Sequence, residues 1–291
     1  MKKVTTMLLG IAFAATGVSM AVAQEKTQSA VPKILQIVRE YTKPGKGGMA
    51  HDNTESAFVR AVAKAKVPGH YIAMNSLTGR SRALFLSSYE SYEAMEKTTN
   101  AMFNNGTLSA ELDRINTADG ELLEETDQSI WTYQEEMSLN SMADLSHMRY
   151  MELSVYQVRP GHGREWEELV KLVKAAYGKA NFGAHWAMFE RRYGGEGDEY
   201  LVLTARKSFT ELDKGFEEGK EFAAAAGEDG LKKLDELVAS ATVSSHHELF
   251  AFNPRMSYVT DEWIKADPFW KPKAPAAPAA KPAADAKTAK P

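Results

Sequence analysis

Two histidines at matching places in the chain are the residues best suited to chemistry. His70 is followed by Tyr71 and His185 by Trp186, and each pair opens a predicted strand. Histidine changes charge near neutral pH and can be an axial ligand of haem, and aromatic side chains line pockets for organic molecules. We take His70 and His185 as candidate ligand-binding residues. The alternative is that each is a strand-end histidine whose hydrogen bonds go to the backbone.

Arg39, Tyr41 and Tyr156 form a second set of candidates. Arg39 and Tyr41 are two residues apart, so they share one face of the first predicted strand. A guanidinium and a phenol inside a cavity could hold a carboxylate or a phenolate. If the tyrosines of the two copies described below correspond, Tyr156 is the partner of Tyr41. A shift of one residue would turn these side chains to the other face, and exposure at a strand end is the alternative.

Several kinds of catalytic and metal site are excluded or unsupported. The chain has no cysteine, which excludes disulfides, thiol catalysis, thiolate zinc sites and iron–sulfur clusters. The glycine-rich stretch 45–48 lacks the spacing of a phosphate-binding loop. His246 and Glu248 could share an ion, but no third ligand can be named, so we predict no metal site. Asp52 or Asn53 is expected to cap a helix.

The elements that must position these residues occur twice. Residues 34–137 and 150–257 resemble two copies of one unit, offset by about 115 or 116 residues. Each copy opens with a strand, a tyrosine and a Pro-Gly-x-Gly turn, at Pro44 and again at Pro160. Hydrophobic periodicity then predicts a helix, two strands, one or two further helices and a closing strand.

Helix boundaries follow from periodicity and capping signals. The first helices of the two copies are predicted at 53–66 and 164–179. Capping boxes at Ser87-x-x-Glu90 and Ser208-x-x-Glu211 predict where the second helices begin.

This order predicts an α+β fold class. A split βαβ unit forms a four-stranded antiparallel sheet with helices on one face. The predicted strands have apolar residues on both faces, so both faces need cover. We therefore predict two tandem ferredoxin-like βαββαβ repeats, at 33–140 and 148–258, whose antiparallel sheets pack into a pseudo-dimeric α/β barrel.

The repeated strand–Tyr–Pro-Gly-x-Gly–helix opening resembles the dimeric α/β-barrel superfamily over about residues 33–257. Within it, the chain is similar to tandem NIPSNAP-like and antibiotic-biosynthesis-monooxygenase-like domains. The resemblance implies a pocket inside the barrel or between sheet and helices. The superfamily includes cofactor-free monooxygenases, haem-degrading and haem-using enzymes, small isomerases and proteins without known activity, so it does not imply one reaction.

Both ends of the chain differ in character from its body. Lys2, Lys3, an apolar stretch and Ala21-Val22-Ala23 are typical of a signal peptide at 1–23, cleaved near Ala23. Residues 259–270 form an aromatic C-terminal segment. Residues 271–291 contain five lysines and one aspartate without a large apolar residue, so we expect a disordered tail rich in Pro, Ala and Lys. The expected location is therefore the periplasm or the exterior.

The net charge and hydropathy restrict the partners. With 35 basic and 39 acidic residues the chain has a formal charge of −4, which argues against a globally basic nucleic-acid binder. No segment after the leader is apolar enough for a membrane span. The cationic tail could make a weak contact with the envelope, and the protein is expected to be a monomer or a homodimer.

Together these features predict an exported soluble protein that binds a small aromatic or amphipathic organic molecule in its barrel cavity. No cofactor is predicted, although haem is an alternative. The two alternative functions are a cofactor-free monooxygenase-like or haem-binding enzyme, and a non-catalytic envelope interaction protein. Whether the protein is an enzyme stays open at this point.

Overall fold

The computed structural model describes residues 31–141, 144–181 and 183–272. The predicted signal peptide lies outside the described residues, and so does the predicted tail apart from its first two positions. Within the described ranges, none of the helices combines the length and apolar character needed to cross a membrane.

The first half of the chain forms four strands and three helices. In chain order these are β1 (Ile34–Thr42), α1 (Met49–Lys64), β2 (Tyr71–Ser76), β3 (Arg82–Tyr89), α2 (Tyr92–Phe103), α3 (Gly106–Gly120) and β4 (Leu123–Tyr133).

The second half repeats the order strand, helix, two strands, helix, strand, and adds a short helix. The elements are β5 (Tyr150–Val158), α4 (Gly163–Ala180), β6 (Ala187–Tyr193), β7 (Glu199–Arg206), α5 (Thr210–Ala241), β8 (Thr242–Phe252) and α6 (Asp261–Ala266).

The eight strands form one closed antiparallel barrel in the order β1-β3-β2-β8-β5-β7-β6-β4. Within each half the strand order is fourth, first, third, second, which is the ferredoxin-like arrangement. Pairing of β2 with β8 and of β4 with β6 joins the halves, for example at Met74–Phe252 and Tyr133–Phe189. The fold class is therefore α+β and ferredoxin-like.

The barrel has an apolar interior and a separate apolar layer under its helices. Leu35 and Ile37 of β1 pack inside the barrel with Met151 and Leu153 of β5. The intervening residues of β5 point outward, where Tyr156 packs with α4. Because successive side chains of a strand alternate between faces, strands covered on both sides are apolar at nearly every position.

The two halves align with each other by the positions of their turns and not by the positions of Tyr41 and Tyr156. Against β4, β1 has a bulge between Tyr41 and Thr42, and β5 has the corresponding bulge against β8 between Gln157 and Val158. Tyr41 therefore corresponds to Gln157, and Tyr156 corresponds to Glu40. The expected match of Tyr41 with Tyr156 is off by one residue, so these two tyrosines lie on opposite faces.

Two predicted helix starts are wrong in the first half. Helix α1 begins at Met49, and Asp52 lies inside its first turn, where its Oδ1 accepts a hydrogen bond from Asn253 Nδ2 at 2.7 Å. Ser87 does not cap α2 because β3 continues to Tyr89. Ser91 is the cap instead, and its hydroxyl accepts from the Ala94 backbone N–H at 3.1 Å.

In the second half, the two predicted helices after β7 form α5 with a break at Gly227, whose φ is 71°. Glycine adopts this left-handed conformation without the steric cost of a side chain. Ser208 makes no side-chain cap, but Glu211 Oε2 accepts from the Lys207 backbone N–H at 2.9 Å.

The aromatic C-terminal segment packs against the end of the barrel where β8 ends. Trp270 is 2% exposed and packs in the barrel interior beside Phe252, with ring centroids 5.8 Å apart. Its indole N–H donates to the Ser146 carbonyl oxygen at 2.6 Å. This bond fixes the C-terminal segment to the connection between the two halves.

Candidate functional site

A cavity of about 1240 Å³ lies at the end of the barrel where β1, β2 and β6 begin and β3 and β7 end. Barrel-interior residues form the apolar part of its wall, namely Leu35, Leu86, Met151, Phe189 and Leu203. Polar and charged side chains complete the wall, among them Ser88, Glu90, Lys97, Thr98, Asp144 and Glu262. An apolar wall with a small number of polar groups is typical of sites for small organic molecules.

His70 lines this cavity just before β2. Its ring stacks on Tyr258, with ring centroids 4.6 Å apart. Burial lowers the pKa of His70, although a hydrogen bond to the Pro68 backbone and the charge of Asp261 act in the opposite direction. Proline has no backbone N–H, so its carbonyl accepts from the imidazole. In the neutral ring, the other nitrogen then keeps a lone pair.

His185 lines the same cavity just before β6. Its Nε2 donates to the Ala205 carbonyl oxygen at 3.1 Å, and the Gly183 backbone makes a further hydrogen bond to the ring. Burial is the largest influence on its pKa and lowers it, and the Arg206 charge acts in the same direction. His185 is thus a neutral imidazole that the backbone holds against the cavity wall.

Arg39 and Tyr41 point into the barrel but toward its other end. Arg39 is four residues beyond Leu35 on β1, which is about 13 Å at about 3.3 Å per residue. The Arg39 guanidinium donates through Nε to Asp127 Oδ1 at 2.6 Å, and the Arg80 guanidinium lies 4.0 Å from the Tyr41 ring centroid. Neither Arg39 nor Tyr41 belongs to the wall of the large cavity.

Tyr156 lies outside the barrel, between the sheet and α4. Its ring centroid is 5.2 Å from that of Trp166, and burial raises the pKa of its hydroxyl. A void of only about 30 Å³ adjoins it there. The five candidate residues therefore occupy three places, and the structure brings only His70 and His185 together.

His247 and Glu248 on β8 both make contacts within the protein. His247 Nδ1 lies 2.9 Å from Ser154 Oγ, and Glu248 forms an ion pair with Arg82. Adjacent strand residues point to opposite faces, so His246 and His247 do not share a site.

Two features of the structure have no clear pattern in the sequence. The cavity wall includes Trp263 from α6 and Asp144 from the connection between the halves, which are far apart in the chain. Glu40, His51, Glu55 and Asp119 also form a cluster whose ligand atoms all lie within 4.8 Å of one another. The spacing of His51 and Glu55, one helical turn apart, was the only local signal of this cluster.

No protein-family model and no curated protein matches the chain. An anthrone oxidase-like protein is 15% identical with a TM-score of 0.48, and the match covers 77% of this chain and 93% of that one. A candidate monooxygenase from Fusobacterium nucleatum is 11% identical with a TM-score of 0.47, covering 76% and 93%. A mutant chlorite dismutase from Candidatus Nitrospira defluvii with cyanide is 8% identical with a TM-score of 0.45, covering 81% and 95%. Identities this low transfer no function.

Proposed function

We propose that the protein binds a small aromatic or amphipathic organic molecule in the cavity at the barrel end. The cavity itself is the observation that supports this function. Its volume of about 1240 Å³ exceeds the roughly 300–1,000 Å³ usual for ligand sites, so it is large enough for a multi-ring molecule.

The distribution of side chains indicates how such a molecule would lie. Its apolar part would contact Leu35, Met151 and Leu203 on the barrel side of the cavity. Its polar end would face Lys97, whose ammonium group favours a carboxylate, sulfonate or phenolate. The neutral imidazole of His70 offers a hydrogen bond without bringing a charge.

Binding of 8-anilinonaphthalene-1-sulfonate, an aromatic anion that fluoresces in apolar surroundings, tests this proposal. We expect saturable binding to the unmodified protein at one site. Ala187 lines the cavity, so Ala187→Phe should reduce the affinity at least about tenfold by filling it. His162→Ala is the matched control because His162 lies in a turn away from the cavity. Equal affinities for the protein and Ala187→Phe would overturn the proposal.

Haem is the second candidate ligand, and the hydrogen bond of His70 to the Pro68 backbone favours it. An axial histidine usually donates its second ring nitrogen to a carbonyl or carboxylate, which leaves the first nitrogen for the iron. His70 fits this requirement with its one backbone bond, whereas the His185 ring has backbone hydrogen bonds to both Ala205 and Gly183. A titration with haemin should give a Soret shift that His70→Ala abolishes and His185→Ala preserves. A shift that survives His70→Ala rules out this ligation.

The chemistry that such a ligand undergoes is a separate proposal. Oxidation of an aromatic ligand without a resident cofactor is the enzymatic form, and it predicts oxygen consumption in the presence of that ligand. A protein that binds the ligand without reaction, or that only contacts the envelope through its cationic tail, would consume none.

We also propose that the chain is an exported tandem NIPSNAP-like protein. The identical strand order of the two halves supports the duplication. The charged start, apolar stretch and Ala21-Val22-Ala23 site support cleavage near Ala23 and a periplasmic or extracellular location.

A further inference from the structure

A buried polar cluster lies between the barrel and the helices of the first half. Glu40 is on the outer face of β1, His51 and Glu55 are one turn apart on α1, and Asp119 is near the end of α3. His51 Nε2 is 3.0 Å from Glu40 Oε2 and 3.5 Å from Asp119 Oδ1. One ligand atom of each of the four residues lies within 4.8 Å of all the others.

The charges of this cluster do not balance. Three carboxyl groups face a single imidazole, and the side chains of His51, Glu55 and Asp119 are almost completely buried. A buried carboxylate without a compensating charge is costly. A divalent cation at the centre of the cluster would provide that compensation.

One buried polar group near the cluster, the Tyr71 hydroxyl, has no hydrogen-bond partner among the described residues. Glu55 is 7% exposed, and its carboxyl group faces the other members of the cluster. Tyr71 is 8% exposed. The Tyr71 ring packs on α1 beside Glu55, since its centroid is 6.3 Å from that of Phe58, three residues after Glu55. Burial, and after it the charges of Glu55 and Glu40, raise the pKa of the Tyr71 hydroxyl. A buried polar group is nearly always paired, so the unpaired Tyr71 hydroxyl indicates a ligand beside it.

The fold itself does not require this cluster. The register of the two halves places Tyr156 at the position of Glu40, and there the ring of Tyr156 packs against that of Trp166 at a centroid distance of 5.2 Å. The same space between sheet and first helix is thus filled by aromatic rings in one half and by ligating groups in the other. A difference of this kind indicates a function specific to the first half.

We propose that Glu40, His51, Glu55 and Asp119 bind a divalent transition-metal ion, with the Tyr71 hydroxyl beside it. One imidazole nitrogen with carboxylate oxygens suits Mn²⁺, Fe²⁺ or Zn²⁺. Ca²⁺ is disfavoured because it prefers a shell of oxygen ligands only. The partly accessible Glu40 side chain, 16% exposed, is where the ion would enter.

A titration with Mn²⁺ tests this site in the full-length protein, which is first treated with a chelator to remove bound metal. The loss of the EPR signal of free Mn²⁺ measures binding. We expect one Mn²⁺ per chain, displaced by Zn²⁺ but not by equimolar Ca²⁺. Glu55→Gln keeps the size of the side chain and removes its charge, and it should weaken binding at least about tenfold. His246→Gln is the matched control because His246 is an exposed histidine two residues from a carboxylate, and it should leave the affinity unchanged.

A second measurement does not depend on the folding of a variant. Crystals of the unmodified protein grown with MnCl₂ should show an anomalous difference peak among the four side chains. A peak elsewhere, no saturable Mn²⁺ binding, or binding that Glu55→Gln leaves intact while the variant is folded would each overturn the proposal.

Discussion

At the scale of single residues, the two cavity histidines are kept neutral by their surroundings. Burial lowers the pKa of His185 below its ordinary 6.5, so the folded chain takes up this proton less readily than the unfolded chain. The stability associated with neutral His185 is therefore complete above about pH 6.5 and is lost as the pH falls from there through the folded-state pKa.

The variant His185→Gln tests this predicted loss of stability at low pH. Glutamine retains a side-chain N–H for the Ala205 carbonyl oxygen but does not titrate. Between pH 7.5 and pH 5, the free energy of unfolding of the variant should fall less than that of the unmodified protein, as measured by urea denaturation. His162→Gln, at a turn position, serves as the control and should follow the unmodified protein. A steeper loss in His185→Gln would contradict the account.

The histidines were predictable because each precedes a strand, where local sequence identifies the position. The position of Tyr156 was not predictable, because a shift of one residue in the strand register decides which face of the sheet its side chain occupies. The tyrosines of the two copies are 115 residues apart, whereas Pro44 and Pro160 are 116 apart. In the structure the two halves align with the 116-residue offset of the turns, because the strand bulges are at Tyr41/Thr42 and Gln157/Val158. Tyr156 therefore faces the helices.

At the scale of elements, the segment after β8 stabilises the barrel end. Trp270 contacts three aromatic rings, those of Phe252, Trp263 and Phe269, at centroid distances of 5.8, 5.1 and 4.9 Å. α6 adds Trp263 to the cavity wall. The sequence showed an aromatic cluster here but not its partners, because Ser146 is 124 positions away in the chain.

Trp270→Ala should lower the free energy of unfolding by about 3–5 kcal/mol, because it removes a large buried side chain and leaves a cavity. The Ser146 carbonyl would also lose its indole donor. Phe216→Ala is the control, since Phe216 is 77% exposed and its removal should cost less than about 0.5 kcal/mol. Urea denaturation of both variants measures the difference. Similar values for the two would show that the segment does not contribute to the barrel core.

Two helix starts differ from the positions that the sequence patterns predict. Ser91, not Ser87, caps α2 because pairing of β3 with β1 continues to Tyr89 and overrides the capping pattern at Ser87. Likewise α1 begins at Met49 because Gly48, with φ at 68°, turns the chain into the helix. Pairing between distant strands therefore sets the start of α2, and the conformational freedom of a glycine sets the start of α1.

At the scale of the whole molecule, closure of the barrel creates the candidate site. Residues of β1, β3, β5, β6 and β7 meet at one end and leave a cavity there. The repeated order of elements and the two-sided apolar strands predict such a barrel. Which end is open depends on side-chain volumes and on the path of the C-terminal segment, and neither is visible as a pattern in the sequence.

Native mass spectrometry of the protein purified from its own host, beside Ala187→Phe prepared in the same way, is the most direct test of the cavity as a ligand site. We expect a mature chain beginning near Gln24 with the added mass of one small organic molecule, and a variant without that mass. Bare chains in both samples, or the same added mass in both, would contradict this expectation.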